Sequence, residues 1–134
     1  MTVHAYLNFN GNCREAMTFY QKCLGGELSF QTVGESPLSK EMPLKMKNCI
    51  LHATLCNDSL MLMASDMVSE NGYLKGNNIS LTLNCNSEKI LKTCYKKLSQ
   101  QGVQTHPLKK TYWGALLGAL TDKFGNNWLL INNN

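Results

Sequence analysis

The stretch that decides the fold runs from Leu7 to Leu28 and reads LNFNGNCREAMTFYQKCLGGEL. A second stretch, from Leu83 to Val103, follows the same order and reads LNCNSEKILKTCYKKLSQQGV. Each has an alternating apolar segment ending in Asn-x-Asn, then about three turns of apolar residues at helical spacing, then Tyr-x-Lys and a glycine. Because the distance between the two stretches is too long for a solenoid repeat, the pattern predicts two copies of one larger module.

The first module is expected to have the order β-α-β-β-β. Residues 3–9 alternate apolar and polar side chains, which is typical of a strand with one buried face. Asn12 or the residue after it should cap the helix, which stops at Gly25 and Gly26. The remaining strands are predicted at residues 27–33, 48–56 and 59–64.

The second module is expected to repeat that order. Ser87 and Glu88 should open its helix, which runs to about Gln100 and ends at Gly102. Because each module's sheet has an apolar face that needs covering, the two copies should support one another in a single domain of residues 1–134. The module boundaries are expected at about 1–65 and 77–134, and the second module's strands at residues 78–83, 103–108, 116–121 and 128–131.

Composition excludes several classes of protein. With 134 residues, 43% hydrophobic and 16% charged, the chain has the composition of one globular domain. The net charge is +4, but the lysines are scattered and form no basic strip, so we expect no nucleic-acid partner. No apolar run approaches the ~18 residues that span a bilayer, so no membrane partner is expected either.

The six cysteines indicate reduced thiols. They form no C-x-x-C pair, and four of them lie inside apolar periodic segments, where free cysteine behaves as a small hydrophobe. No export signal is visible at the N-terminus, so the cytoplasm is the expected compartment. A zinc site built from these cysteines is not expected, because the usual spacing is absent.

Three predicted strands carry a polar face opposite an apolar one. If a helix covers each apolar face, the polar faces must look into water or into a cavity. Three such faces in matching positions of a cupped sheet favour a polar cavity. The polar faces are His4/Tyr6/Asn8, His52/Thr54/Cys56 and Asn78/Ser80/Thr82. Met63 and Trp113 could add an adaptable apolar wall, so the candidate pocket residues are His4, Tyr6, His52, Met63, Asn78 and Trp113.

Other candidate chemistry is sparse. His106 precedes Pro107 near an expected strand end and is interpreted as structural. Asp66 and Asp122 are interpreted as turn or cap residues, and no carboxylate pair for acid–base catalysis is visible. Cys56 could face the cavity near His52, but the sequence does not fix that geometry.

Both ends of the chain resemble the PhnB-like branch of the vicinal-oxygen-chelate superfamily, which contains glyoxalase I, bleomycin-resistance proteins and extradiol dioxygenases. The matching segments are YLNFNGNCREAMTFYQKCLGGEL at residues 6–28 and YWGALLGALTDKFGNNW at residues 112–128. The resemblance implies an α+β fold of two βαβββ modules. Their eight strands would form cupped mixed or antiparallel sheets of the glyoxalase/bleomycin-resistance/dioxygenase type.

The resemblance also implies four metal-ligand positions, which fall on His4, His52, Asn78 and Leu129. The usual residues there are His or Gln, Glu, His and Glu. A divalent first-row metal needs three or more firm donors, whereas Asn78 is a weak donor and Leu129 has none. We therefore interpret the site as degenerate and expect no cofactor. The Asp-Arg that usually follows Trp-Gly is also missing, being Ala115-Leu116 here.

Two functions follow from these observations. The first is a small-molecule-binding homodimer without metal chemistry, in which no catalytic residue can be named and the ligand is unknown. The alternative is a metal-dependent enzyme of glyoxalase or dioxygenase type that uses His4 and His52. A dimer is expected because small members of the superfamily typically pair, and because the apolar supply exceeds what one face of a small core needs. The residues that supply it are Leu116, Leu117, Leu120, Trp128, Leu130 and the methionines.

Overall fold

The computed structural model describes residues 1–41, 43–66 and 72–133, apart from the side chains of Leu38 and Lys45. The chain divides into two compact units, Met1–Leu74 and Lys75–Asn134. Each unit contains a four-stranded mixed sheet and one α-helix. The predicted α+β fold of two βαβββ modules is therefore confirmed.

Unit 1 has its strands in the order β1-β4-β3-β2, with β1 parallel to β4 and the other neighbours antiparallel. Two short 3-10 helices, Pro37–Lys40 and Leu44–Met46, lie between β2 and β3 and were not expected from the sequence. The elements are β1 Ala5–Asn8, α1 Cys13–Leu24, β2 Glu27–Thr32, β3 Ile50–Asn57 and β4 Leu60–Ser65.

Unit 2 repeats this arrangement with the order β5-β8-β7-β6, in which β5 is parallel to β8. The elements are β5 Ser80–Asn84, α2 Glu88–Leu98, β6 Val103–Lys110, β7 Leu116–Thr121 and β8 Asn127–Asn132. No helix among the described residues is long and apolar enough to cross a membrane.

Seven of the eight strands differ from the sequence prediction by one or two residues at an end, and two of these differences affect the candidate site. β5 begins at Ser80 rather than at Asn78, because Ser80 is level with Asn127, the first residue of β8. The side-chain amide of Asn127 donates to the carbonyl of Ile79 at 3.3 Å in place of a strand partner. β6 continues past Pro107 to Lys110, since shifts of register allow it to keep pairing with β7 beyond the proline.

Each helix covers one face of its own sheet. In unit 1, α1 packs on β2, β3 and β4 and buries Met17 and Tyr20 with Leu55 of β3. In unit 2, α2 packs on β7 and β8 and buries Leu91 and Leu98. The opposite side of each sheet is not covered by its helix; we call these sides the open face of unit 1 and the open face of unit 2.

Most of the apolar residues that were expected at a dimer interface are buried inside unit 2. Leu120 and Leu130 are 1% and 0% exposed, and Leu116 and Trp128 are also buried. Of the five, Leu117 alone lies half-buried on the open face. For these residues the inferred excess of apolar surface was wrong, because four of the five are buried in unit 2, and a dimer must be argued from other surfaces.

Candidate functional site

The open face of unit 1 carries a row of side chains at the centre of its sheet. Tyr6 is level with Met63, and Met63 is level with Thr54. Residues opposite one another in neighbouring strands project to the same side of a sheet. The alternate residues, including Leu55 and Ala64, are buried on the helix side, so Tyr6, Met63 and Thr54 belong to the open face.

His52 joins this row from β3. Its ring lies 6.0 Å from that of Tyr6, centroid to centroid, at an interplanar angle of 36°. Its Nε2 atom is 3.1 Å from the hydroxyl oxygen of Thr54, a hydrogen-bonding distance. His52 is half-buried and Tyr6 is 45% exposed, so the pair presents both an aromatic surface and polar atoms on one face. Three of the candidate pocket residues, Tyr6, His52 and Met63, are thus neighbours.

His4 lies at a different place in unit 1. It precedes β1 and lines a cavity of about 620 Å³ beside the turn between β3 and β4, together with Glu27, Cys56 and Asp58. Ala5 of β1 is level with Leu62 of β4, which in turn is level with Leu55 of β3. His4 lies one residue beyond Ala5, in the direction that leads away from His52. Because Leu55 and His52 are three positions apart in β3, the two histidines are separated by at least ~10 Å along the strands.

The open face of unit 2 contains a larger cavity, of about 710 Å³. Its floor is apolar: Leu129 of β8 is level with Ala119 of β7, and Leu117 of β7 follows on the same side. His106 of β6 is level with Ala119 and lines the same cavity. Leu129, the position where the resemblance implies a metal ligand, is therefore part of an apolar floor.

A tight loop between β6 and β7 places two aromatic rings at this cavity. The Thr111 amide donates to the Ala115 carbonyl at 2.7 Å, and the Ala115 amide donates to the Thr111 hydroxyl at 3.0 Å. Gly114 has a φ of 92°, which favours glycine. The loop holds Tyr112 and Trp113 edge to face at 4.8 Å, and both are exposed, at 97% and 56%. Exposed paired aromatic rings at a cavity are a typical ligand surface.

Asn78, the remaining candidate, is an exposed residue two positions before β5. The two Asn-x-Asn motifs align Asn8 with Asn84, and both end a parallel edge strand, so His4 corresponds to Ser80 rather than to Asn78. By the same comparison of strand pairs, Met63 of unit 1 corresponds to Leu129 of unit 2.

The four implied metal-ligand positions do not fit a divalent ion. His4 and His52 are too far apart in unit 1 to bind one ion through bonds of about 2 Å. Leu129 has no donor atom, and Asn78 offers only an amide. Among the described residues, no group of three or more His, Cys, Asp or Glu side chains is placed to hold a metal. No metal-dependent step can be derived from these residues.

Two buried cysteines, Cys13 and Cys85, do not act as nucleophiles. Burial, reinforced by the Asp66 carboxylate, raises the pKa of the Cys13 thiol to about 12, and burial raises that of Cys85 to about 11. Since the thiolate is the reactive form, both remain inert near neutral pH. Cys56 lines the cavity of His4 and lies four residues from His52 along β3, so the suggested Cys–His pair is not formed.

The two carboxylates interpreted as caps have that structural role. Asp66 accepts hydrogen bonds from the backbone amides of Gly11, Cys13 and Ile50. Asp122 accepts from two amides of its own turn, and its other oxygen accepts from the indole N–H of Trp128 at 2.8 Å. Neither is available as a catalytic acid or base.

Sequence reasoning identified Trp113 and Leu129 as site positions but missed most of the other residues that line the unit 2 cavity, including His106 and Lys109. His106 was interpreted as structural, and its backbone carbonyl does accept a hydrogen bond from Tyr95, but its side chain is exposed and lines the cavity. The signal that could have revealed both was Pro107, since a proline inside a strand marks an edge or a bulge.

Comparison with known proteins places the chain in a family. The model of the Glyoxalase/Bleomycin resistance protein/Dioxygenase superfamily matches residues 2–130. The chain therefore belongs to this superfamily, as the resemblance of its two ends implied.

Individual relatives support the PhnB-like branch. A Pseudomonas aeruginosa protein of known crystal structure is 36% identical, with 98% of this chain and 97% of that chain covered and a TM-score of 0.86. The PhnB protein of Bacillus cereus is 26% identical, with 98% and 99% covered and a TM-score of 0.73. Protein YjdN of Escherichia coli is 29% identical over 141 residues, which cover 97% of this chain and 94% of YjdN. The PhnB-like resemblance is thus confirmed.

Proposed function

We propose that this chain is a small-molecule-binding protein of the PhnB-like kind, with a degenerate metal site, that acts as a homodimer in the cytoplasm. The observation that carries the proposal is the cavity on the open face of unit 2. Its apolar floor includes Leu129 at an implied metal-ligand position, and the Tyr112 and Trp113 rings lie beside it. A concave, mostly apolar surface with a few polar groups is typical of a ligand site.

The lining of this cavity supports binding rather than catalysis. Among the described residues, this lining contains no carboxylate and no thiol, and it offers His106 no acidic partner to orient its ring as a catalytic base. All six cysteines carry thiols rather than disulfides, which agrees with a reducing compartment.

We further propose that the predicted lining set belongs to the binding site. Tyr6, His52 and Met63 support this by lying together on the open face of unit 1, where they present an aromatic ring, an imidazole and a thioether. Trp113 supports it from the cavity of unit 2. His4 and Asn78, both exposed, complete the set.

The test is a thermal-shift screen of a small-molecule library on protein stripped of metal with a chelator. A ligand present at 100 times its Kd stabilises the folded state by about 2.7 kcal/mol, which raises the Tm by roughly 5–10 °C. We expect such ligands for the wild type and a loss of most of the shift in Trp113→Ala. Trp113 is 56% exposed, so this variant should fold.

Ile90→Ala is the matched control. Ile90 is 50% exposed on α2, on the covered side of the same sheet, so its truncation removes a similar exposed apolar surface away from the cavity. The control should keep the full ligand shift. Equal losses in both variants, or ligands that bind only after a divalent metal is restored, would contradict the proposal.

A further inference from the structure

Two adjacent lysines of β6 face opposite sides of the sheet. Lys109 is level with Leu117, which lies half-buried on the open face, whereas Lys110 is level with Leu116, which is buried on the helix side. Between His106 and Lys109, where Pro107 lies, the register of β6 against β7 shifts by one residue. As a result, His106 and Lys109 both line the unit 2 cavity although they are three residues apart.

The charge of Lys110 is compensated, and that of Lys109 is not. The Lys110 ammonium forms an ion pair with the Glu88 carboxylate at the start of α2, and this hydrogen bond and charge lower the pKa of Glu88. Among the described residues, Lys109 has no carboxylate within ion-pairing distance. An ammonium group that lines an apolar cavity without an acidic partner is a ready binding site for an anion.

The other residues that line the cavity indicate the chemistry of the rest of the ligand. Leu117, Ala119 and Leu129 form an apolar floor, and the Trp113 ring stands beside it. A flat aromatic body could contact the floor and meet Trp113 edge to face, which aromatic pairs favour. The His106 ring can add one N–H donor to an anionic group.

We propose that the unit 2 cavity binds an aromatic carboxylate, whose carboxylate group pairs with Lys109 and whose ring contacts Leu129 and Trp113. This inference rests on the proposed function and names the chemical class of its ligand. It assigns to Lys109 the selection of anionic over neutral ligands and to Trp113 the binding of the ring.

The test compares 2-naphthoate with 2-naphthamide, which has the same aromatic body and no charge. Isothermal titration calorimetry on the metal-stripped protein should show that the wild type binds the carboxylate roughly fivefold to tenfold more tightly, the range expected for a partly exposed charged hydrogen bond. Lys109→Met should bring the ratio close to one. Lys110 also lines the cavity, so the control is Lys96→Met, which removes an exposed charge from α2 on the covered side of the sheet and should leave the ratio unchanged.

Each outcome separates this inference from the proposed function. An equal loss of selectivity in the two lysine variants, or an unchanged ratio in Lys109→Met, overturns the role of Lys109. If both probes bind the wild type equally and Trp113→Ala weakens both, the cavity binds small molecules but not anions selectively. If neither probe binds while a library compound does, the ligand class alone is wrong. If nothing binds, both proposals fail.

Discussion

Asp66 connects three segments of unit 1 through one carboxylate. Its Oδ1 atom accepts from the amides of Gly11 and Cys13 at 3.0 and 2.9 Å, and its Oδ2 atom accepts from the Ile50 amide at 2.9 Å. Asp66, which directly follows β4, thereby links the start of α1 to the start of β3. In unit 2 the corresponding residue is Asn132, whose side-chain amide donates to the Cys85 carbonyl at 2.8 Å.

Replacing Asp66 should destabilise the protein out of proportion to the change in size. Asp66→Asn keeps the shape of the side chain, but it removes the charge from buried hydrogen bonds and points an N–H₂ group at an N–H donor. We expect a loss of about 2 kcal/mol in the free energy of unfolding, measured with urea and circular dichroism. Asp58→Asn, in the exposed turn between β3 and β4, should cost less than about 0.5 kcal/mol. Equal costs would contradict the role assigned to Asp66.

Residue types were easier to interpret from the sequence than residue positions. The structural roles of Asp66 and Asp122 follow from their place at turns, but the donors that Asp66 serves are more than fifty residues away in two of three cases and leave no local pattern. Likewise, alternation put Tyr6 and His52 on polar faces, while the distance between His4 and His52 depends on the pairing of β1 with β4 and of β4 with β3. Strand register is set by tertiary packing, so the sequence did not reveal it.

At the scale of elements, the two helices begin in different ways. The Ser87 hydroxyl accepts from the Ile90 amide at 3.2 Å and caps α2. Asn12 occupies the same position before α1 but makes no side-chain cap bond, and Asp66 accepts from the first amide of the helix instead. The sequence predicted both starts, and of its two alternatives for the cap of α1, Asn12 or the residue after it, Asn12 holds the N-cap position but makes no side-chain cap bond.

This difference predicts unequal effects of the same substitution. Ser87→Ala should lower the free energy of unfolding by about 1 kcal/mol, the usual cost of losing an N-cap hydrogen bond. Asn12→Ala should change it by no more than a few tenths of a kcal/mol, because no cap bond is lost. Urea unfolding of the two variants beside the wild type measures the contrast. A cost for Asn12→Ala as large as that for Ser87→Ala would show that Asn12 contributes to α1 after all.

The strands show where sequence patterns stop being informative. β7 was predicted with its observed bounds, because LLGALT stands between clear turn signals. β6 was cut short at Leu108, because Pro107 suggested a strand end, whereas an edge strand can accommodate a proline at a shift of register. The same shift places Lys109 on the open face, so the strand whose end was mispredicted is the one that contains His106 and Lys109.

At the scale of the whole molecule, the repeated motif predicted the fold and the family, because each copy of the module carries the same local sequence pattern. Asn-x-Asn, the helical apolar spacing and Tyr-x-Lys recur in both stretches, and the two units repeat one strand order. The ligand could not be predicted in this way, because its recognition depends on a cavity assembled from β6, β7, β8 and the loop between β6 and β7. Convergence of the predicted pocket residues from both modules stays a prediction.

The proposed dimer now rests on surfaces other than the core leucines. Each sheet ends in edge strands, β1 and β2 in unit 1 and β5 and β6 in unit 2, and unpaired strand edges favour association. Apolar side chains are also strongly exposed, including Tyr112 at 97%, Ile79 at 70% and Val103 at 62%. A symmetric interface of standard size, ~1,200–2,000 Å², would bury such residues.

Native mass spectrometry of protein purified without chelator tests the central claim, a metal-free binding dimer, most directly. It measures the number of chains and any tightly bound metal in one spectrum, and adding 2-naphthoate reports ligand binding under the same conditions. The account predicts a species of twice the 15.0 kDa chain mass, without stoichiometric first-row metal, that takes up the added compound. A species of 15.0 kDa that persists as the protein is concentrated, or a dimer carrying one metal ion per chain, would contradict it.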